Sequence, residues 1–188
     1  MPNDHGRVVV TGMGAICCLG QGVDAMWQAL LAGRCGIGPL TRLNPDLHRV
    51  RHAGEATLPE GPSSSTDPAL QFLIAAGVEA LGQAGLAEGT RARVGVALGT
   101  NFGAMGATER LMRGETPCAA LAGEVTGEVA RRLGLGGMRS TVSLSCASGN
   151  AAIGWALDAV RSGRADAALA GGYDAISEIV WAGLSSLR

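Results

Sequence analysis

Compact apolar runs and longer amphipathic stretches alternate along the chain, and the two patterns predict different elements. Apolar runs that end at glycine or other small residues predict buried strands. Such runs cover residues 7–12, 94–98, 141–144 and 166–170. Glycines crowd residues 99–106, directly after the second run, and predict a tight turn there.

Helical spacing marks the stretches between these runs. Apolar residues at i, i+3 and i+4 over residues 23–31 predict a helix that ends at Gly33. Asp67 can cap a second helix that begins at Pro68 and continues to about Gly85. Further helices are predicted over residues 107–113, 119–133 and 150–161 and from Ser177 onward, and a loop over residues 36–68. Strands that alternate with helices in this way predict an α/β fold.

The composition fits a single sizeable domain that is unusually apolar. Among 188 residues, 47% are hydrophobic and 16% are charged, below the roughly 25% charged residues common in soluble domains. Such a chain either is mostly core or keeps a large apolar face for a partner. The net charge of −1 gives no reason to expect nucleic acid as a partner. No apolar run is long enough for a membrane span and residues 1–7 lack a secretory signal, so we expect a cytoplasmic protein without membrane contact.

The cysteines follow neither a disulfide nor a metal-binding pattern. They are odd in number, irregularly spaced and without a C-x-x-C pair. We therefore expect no disulfide framework, no metal and no cofactor. Four of them are expected to be small buried apolar residues, and one stands in a motif of its own. The five are Cys17, Cys18, Cys35, Cys118 and Cys146.

Cys146 lies where an apolar run gives way directly to a predicted helix. Small residues on both sides, in Thr141-Val-Ser-Leu-Ser-Cys146-Ala-Ser-Gly149, let the chain turn sharply and leave the thiol exposed. The N–H groups and dipole at a helix start favour the thiolate, which is the reactive form of the side chain. The same N–H groups can donate to an oxyanion. The pattern alone fits a buried cysteine at a strand end as well.

The segment Ser143-Leu-Ser-Cys146-Ala-Ser-Gly149 resembles the active-site signature of the β-ketoacyl synthases, condensing enzymes of the thiolase-like class. Further segments resemble the family's opening strand, its first helix and turn, its second strand, the strand after the nucleophile helix and the helix after that. These are residues 8–14, 27–37, 93–100, 163–172 and 183–188. Because they occur in the family's order and spacing, the chain is identified as a member that matches the N-terminal half.

This resemblance implies a fold, a reaction and partners. Residues 1–188 would form the N-terminal domain, one half of a layered α/β/α/β/α body whose C-terminal half is missing from this chain. Cys146 would take an acyl group from a carrier-protein or coenzyme A thioester, with its own backbone N–H in the oxyanion hole. Decarboxylative Claisen condensation with a malonyl thioester on acyl carrier protein would follow, using two histidines of the second half. The implied partners are acyl carrier protein and a dimer mate or complementing half, in fatty-acid or polyketide synthesis.

Phe102 lies where family members place a residue that lines the acyl pocket. A phenylalanine there would shorten the pocket, which predicts a short or otherwise restricted acyl substrate. Simple packing in the core is the alternative for this side chain. His5, His48 and His52 do not match the family's catalytic histidines and are expected at the surface or in loops.

Three other functions compete with a condensing enzyme. A non-catalytic half-domain that acts as a structural or interaction partner fits the same apolar composition, but nothing structural requires a thiol at Cys146. Within the family, the presence of Cys146 matches the condensing subunit type and not the cysteine-less chain-length partners. A nucleotide-binding protein would need G-x-G-x-x-G in register with a later acidic residue, which residues 99–106 lack. A cysteine α/β-hydrolase would need glycine in place of Leu144 and Ser148.

Overall fold

Helices and strands are interspersed along the chain in this computed structural model, which describes residues 7–57, 67–86, 88–117 and 119–187. Two short 3-10 turns cover Pro45–Leu47 and Glu88–Arg93. The elements in chain order are β1 (Ile16–Cys17), β2 (Gly20–Gln21), α1 (Val23–Leu31), β3 (Ile37–Pro39), β4 (His52–Gly54), α2 (Pro68–Ala84), β5 (Val94–Gly99), α3 (Met105–Met112), α4 (Ala122–Arg132), β6 (Arg139–Val142), α5 (Ser148–Arg161), β7 (Ala167–Gly172) and α6 (Glu178–Ser186).

A parallel sheet with the order β6-β5-β7 forms the centre of the fold. Val96 pairs with Arg139 on one side, and Val94 pairs with Ala167 on the other. Every residue of β5 is buried. A strand enclosed between two parallel neighbours and covered on both faces carries a continuous apolar run, and this explains why β5 is easily recognised in the sequence.

The two faces of β5 pack against different helices. Val94, Val96 and Leu98 belong to the larger core cluster, which also contains apolar residues of α2 and α4. Ala97 points to the opposite face and packs with Ala152 and other small residues of α5. Because side chains alternate along a strand, one face is built from large residues and the other from small ones. The small face lets α5 approach the sheet closely.

Most predicted helices are confirmed, with small shifts at their ends. The helix α2 begins at Pro68, with the Asp67 carboxylate accepting from the Ala69 N–H at 2.8 Å, and Gly85 ends it at a φ of 60°. The predicted start of α4 at residue 119 is wrong. The Glu124 carboxylate accepts from the N–H groups of Ala120 and Leu121, and this cap fixes the first helical residue at 122.

The prediction of a strand over residues 7–12 is wrong. Among the described residues, no strand pairs with this segment. The chain that follows lies against α2 instead, since a Cβ at Gly12 would lie 2.0 Å from the Ala80 carbonyl oxygen, and Met13 donates to the Gln83 side chain at 3.0 Å. A β-branched run becomes a strand only where a neighbouring strand can accept its hydrogen bonds.

The predicted loop over residues 36–68 contains short elements that the sequence does not announce. Strands β3 and β4 pair antiparallel within it, and part of it, residues 58–66, lies outside the described residues. The β1–β2 pair, which precedes α1, is not predicted either. Pairs of two or three residues are too short to show an alternating pattern.

Candidate active site

The carboxyl ends of the three parallel strands meet at one edge of the sheet, and each is followed by a turn with polar or reactive side chains. Phe102 follows β5, Cys146 follows β6 and Asp174 follows β7. Backbone bonds hold these turns together, with Thr100 N–H donating to the Val142 carbonyl at 3.0 Å. This edge is where open parallel sheets usually place their sites.

The turn of residues 144–147 presents Cys146 between β6 and α5. The Cys146 thiol is free and exposed. Ala147 occupies the N-cap position of the 14-residue helix α5, and its side chain makes no capping hydrogen bond. Ser145 has a φ of 48°, the single positive φ at a non-glycine position in the described part of the chain. A left-handed serine bends the chain sharply, at a cost of about 1 kcal/mol or more. The predicted sharp turn with an exposed Cys146 is therefore present.

The buried Ser148 hydroxyl holds this strained turn in place. Its oxygen accepts from the Leu144 N–H at 2.7 Å and lies 2.7 Å from the Ser145 carbonyl oxygen. It also lies 3.0 Å from the Thr100 carbonyl oxygen. One hydroxyl proton can be given to only one of the two carbonyls at a time. The Ser148 hydroxyl thus contacts two residues of the cysteine turn, Leu144 and Ser145, and also Thr100, which directly follows β5.

Gly99 allows α5 to start this close to the sheet. A Cβ at this position would lie 2.2 Å from the Ser148 carbonyl oxygen and 2.7 Å from the Gly149 nitrogen, both backbone atoms. Any side chain at residue 99 would displace the first turn of α5. The glycine therefore fixes where the cysteine turn sits relative to β5.

The turn after β5 is organised around the Asp174 carboxylate. Thr100 donates its hydroxyl to Oδ1 at 2.7 Å, and the Phe102 N–H donates to the same oxygen at 2.9 Å. The Asn101 N–H donates to Oδ2 at 3.2 Å, and the Thr100 hydroxyl accepts from the Gly103 N–H at 2.7 Å. Phe102 is half-buried in the turn that these bonds define.

Two further ionisable groups lie close to this network. Burial raises the pKa of the Tyr173 phenol against the lowering effect of the Thr100 side chain, and the neighbouring Asp174 and Asp67 carboxylates add to the rise. Burial also raises the pKa of Asp67, against hydrogen bonds from the N–H groups of Ala69 and Ala107 that lower it. Asp67 joins the starts of α2 and α3, since its second oxygen accepts from Ala107 at 2.7 Å. These contacts fix the helix that follows the Phe102 turn.

Sequence reasoning names Cys146 and Phe102 as candidates but misses the residues that hold their turns. Ser148 stands two positions after the cysteine, and Thr100 and Asp174 come soon after strand ends. Polar residues directly after buried strands are a signal that could have found them. Ser148 and Thr100 are 48 positions apart along the chain, and Thr100 and Asp174 are 74 positions apart. Contacts over such separations could not be predicted from the sequence.

Predictions for the other cysteines and for the histidines had mixed outcomes. Cys35 is exposed, so the prediction that it is buried is wrong, and Cys17 and Cys18 are only partly buried. His48 lies in a loop as expected, but it is buried, with Nε2 3.1 Å from Glu178 Oε1. His52 is exposed in β4. Cys118 and His5 lie outside the described residues.

The described ranges contain neither a metal-binding cluster nor a membrane-spanning helix. No group of three or more histidine, cysteine, aspartate or glutamate side chains there is placed to hold a metal ion. In the same ranges, no helix combines the length and the apolar character that crossing a membrane requires.

Comparison with known proteins identifies the family. The family model for the β-ketoacyl synthase N-terminal domain matches residues 5–188. The chain belongs to this family. Nodulation protein E of Rhizobium meliloti (strain 1021) is 35% identical over 93% of this synthase domain and 48% of its own length. The 3-oxoacyl-[acyl-carrier-protein] synthase 2 of Synechocystis sp. is 32% identical over 97% of the domain and 49% of its own length.

Solved structures agree with the family assignment. The ishigamide ketosynthase/chain length factor superposes with a TM-score of 0.81 at 30% identity, covering 94% of the synthase domain and 49% of that chain. A type II polyketide ketosynthase in complex with its acyl-carrier protein superposes with a TM-score of 0.75 at 28% identity, covering 94% and 47%. The predicted thiolase-like α/β class is thereby confirmed. The chain spans about half the length of the curated relatives it matches.

Proposed function

We propose that this chain is the nucleophile-bearing half of a β-ketoacyl synthase and that Cys146 is the residue acylated. The observation that carries the proposal is the exposed free thiol in a strained turn at the start of α5. A left-handed residue directly before the cysteine is a local strain of the kind that clusters at functional sites. The family assignment gives this turn its chemistry.

In the first step, the Cys146 thiolate attacks the carbonyl carbon of an acyl thioester. A carbon–sulfur bond to the cysteine forms, the bond to the carrier's sulfur breaks, and the carrier leaves as a thiol after taking a proton. The helix α5 contributes the positive end of its dipole, and the backbone N–H of Cys146 is proposed as one donor to the oxyanion.

In the second step, a malonyl thioester on acyl carrier protein loses carbon dioxide and its carbanion attacks the acyl group on Cys146. The new carbon–carbon bond forms as the bond to the cysteine sulfur breaks, which returns the thiolate. The two histidines proposed to assist this step belong to the half of the relatives that this chain does not match. The solved complex of a ketosynthase with its acyl-carrier protein supports the same carrier as partner here.

Phe102 is proposed to limit the length of the acyl group. It lies on the turn after β5, at the same sheet edge as Cys146, and its backbone is fixed by the Asp174 carboxylate. A half-buried aromatic ring on a fixed turn makes a firm pocket end. This proposal favours short acyl thioesters as substrates.

The test is a two-stage assay on the 188-residue chain with a short acyl thioester and then malonyl-acyl carrier protein. We expect the chain to gain one acyl group and to release no β-ketoacyl product by itself. Product from the pure chain would refute the proposed division of labour between two halves. Absence of any acyl-enzyme would refute the nucleophile and favour a non-catalytic half-domain.

A further inference from the structure

Asp174 has no part in the chemistry proposed above, yet it receives three hydrogen bonds from the turn after β5. Its two oxygens accept from the Thr100 hydroxyl, the Asn101 N–H and the Phe102 N–H. An exposed aspartate does not need this many partners to be solvated. The three bonds join Asp174 to three successive residues of the turn.

The same network continues to the cysteine turn. The Thr100 hydroxyl is bound to Asp174, while the Thr100 carbonyl lies 3.0 Å from the Ser148 hydroxyl. That hydroxyl accepts from the Leu144 N–H at 2.7 Å. Thr100 is buried and Ser148 is buried, so neither group can exchange its partner for water without moving. A displacement of Thr100 is therefore passed on to the turn that carries Cys146.

We propose that Asp174 is a positioning residue that sets the turn of Phe102 relative to the turn of Cys146. The coupling runs through Thr100 and Ser148, and its consequence is that acylation rate and acyl-length preference are set together. This inference rests on the proposed function, because it names what fixes the proposed pocket beside the proposed nucleophile.

The carboxylate is required because all three of its partners are donors. An amide at residue 174 would offer one acceptor oxygen, and its NH₂ group would face at least one N–H or O–H donor in either orientation. Asp174→Asn therefore keeps the size of the side chain and breaks at least one bond. Asp158→Asn is the matched control, since Asp158 is exposed on α5 and lies outside this network.

The first measurement is amide hydrogen exchange of the full chain, resolved by residue. In Asp174→Asn, we expect the amides of Asn101 and Phe102 and also that of Leu144 to exchange faster by about fivefold or more. Asp158→Asn should leave all three unchanged. Faster exchange at Asn101 and Phe102 with Leu144 unchanged would overturn the coupling, because the effect would end at the first turn.

The second measurement is the ratio of Cys146 acylation rates with a short and a long acyl thioester. Loss of folded protein lowers both rates equally, whereas movement of the Phe102 turn changes their ratio. We expect Asp174→Asn to bring the ratio closer to one, and an unchanged ratio would overturn the inference. A wild-type chain that takes no acyl group would refute the proposed function, and the exchange data would still decide the coupling.

A pair of variants at Thr100 keeps the test decisive if Asp174→Asn fails to fold. Thr100→Val keeps the shape but removes the hydroxyl that donates to Asp174, while Thr100→Ser keeps the hydroxyl. We expect faster Leu144 exchange in the valine variant and wild-type exchange in the serine variant. Equal behaviour of the two variants would contradict the proposed path.

Discussion

Replacing Gly99 with alanine tests the close approach on which the candidate site depends. The new Cβ would lie 2.2 Å from the Ser148 carbonyl oxygen and 2.3 Å from its carbonyl carbon, whereas ordinary contact begins near 3.4 Å. Both are backbone atoms, so the start of α5 would have to move by about 1 Å. Overpacking of this kind is expected to lower the free energy of unfolding by about 3 kcal/mol. A shift of about 1 Å at a reacting group is expected to slow acylation of Cys146 by about 100-fold.

Gly171→Ala provides the matched control for this prediction. Gly171 lies on the neighbouring strand β7, pairs with Leu98 and has no atom within 4 Å of an added Cβ. Its replacement should change the free energy of unfolding by less than about 1 kcal/mol and leave acylation unchanged. Urea unfolding and acylation kinetics on both variants give the comparison. Equal behaviour of the two variants would refute the argument that Gly99 positions the cysteine turn.

Three further predictions concern a helix ion pair, a helix cap and the pocket. Hydrogen bonds from Arg131 and Arg132 lower the pKa of Glu128 from 4.5 to about 2, so its stabilisation is fully present above pH 4.5 and is lost as pH falls through about 2. Urea unfolding of Glu128→Gln should therefore show a loss of about 1 kcal/mol at pH 7 that shrinks toward zero as the pH falls through 2; a loss independent of pH would contradict this. Asp67→Ala should destabilise by about 2 kcal/mol in the same assay and Asp67→Ser by about half as much, because serine restores the cap of α2 but not the bond to α3; equal losses would argue against the second bond. Phe102→Ala should shift the preferred acyl length upward in a competition between thioesters, and an unchanged preference would exclude the pocket role.

The sequence predicts the central elements of the fold because their signals are local. An unbroken apolar run identifies β5, and Asp67 with Pro68 identifies the start of α2. The strand predicted over residues 7–12 is wrong for the opposite reason. Whether a β-branched run forms a strand depends on a neighbouring strand elsewhere in the chain. The start of α4 fails because the carboxylate of Glu124 replaces the usual cap residue.

The candidate site is predictable in part for the same reason. Small residues around Cys146 predict the sharp turn, because bending the chain is a local property. The left-handed Ser145 and the hydroxyl of Ser148 that holds it are not visible in the pattern, since the latter also needs the carbonyl of Thr100. The contacts of Asp174 could not be predicted from the sequence, because they form only when the parallel strands bring their ends together.

The central claim is that Cys146 is the acylated residue, and intact mass measurement after incubation with a short acyl thioester tests it most directly. Cys35 provides the control, since its thiol is exposed as well. We predict one added acyl group on the wild type and on Cys35→Ser, and none on Cys146→Ser. An acyl group that persists on Cys146→Ser, or its loss from Cys35→Ser, would contradict the account.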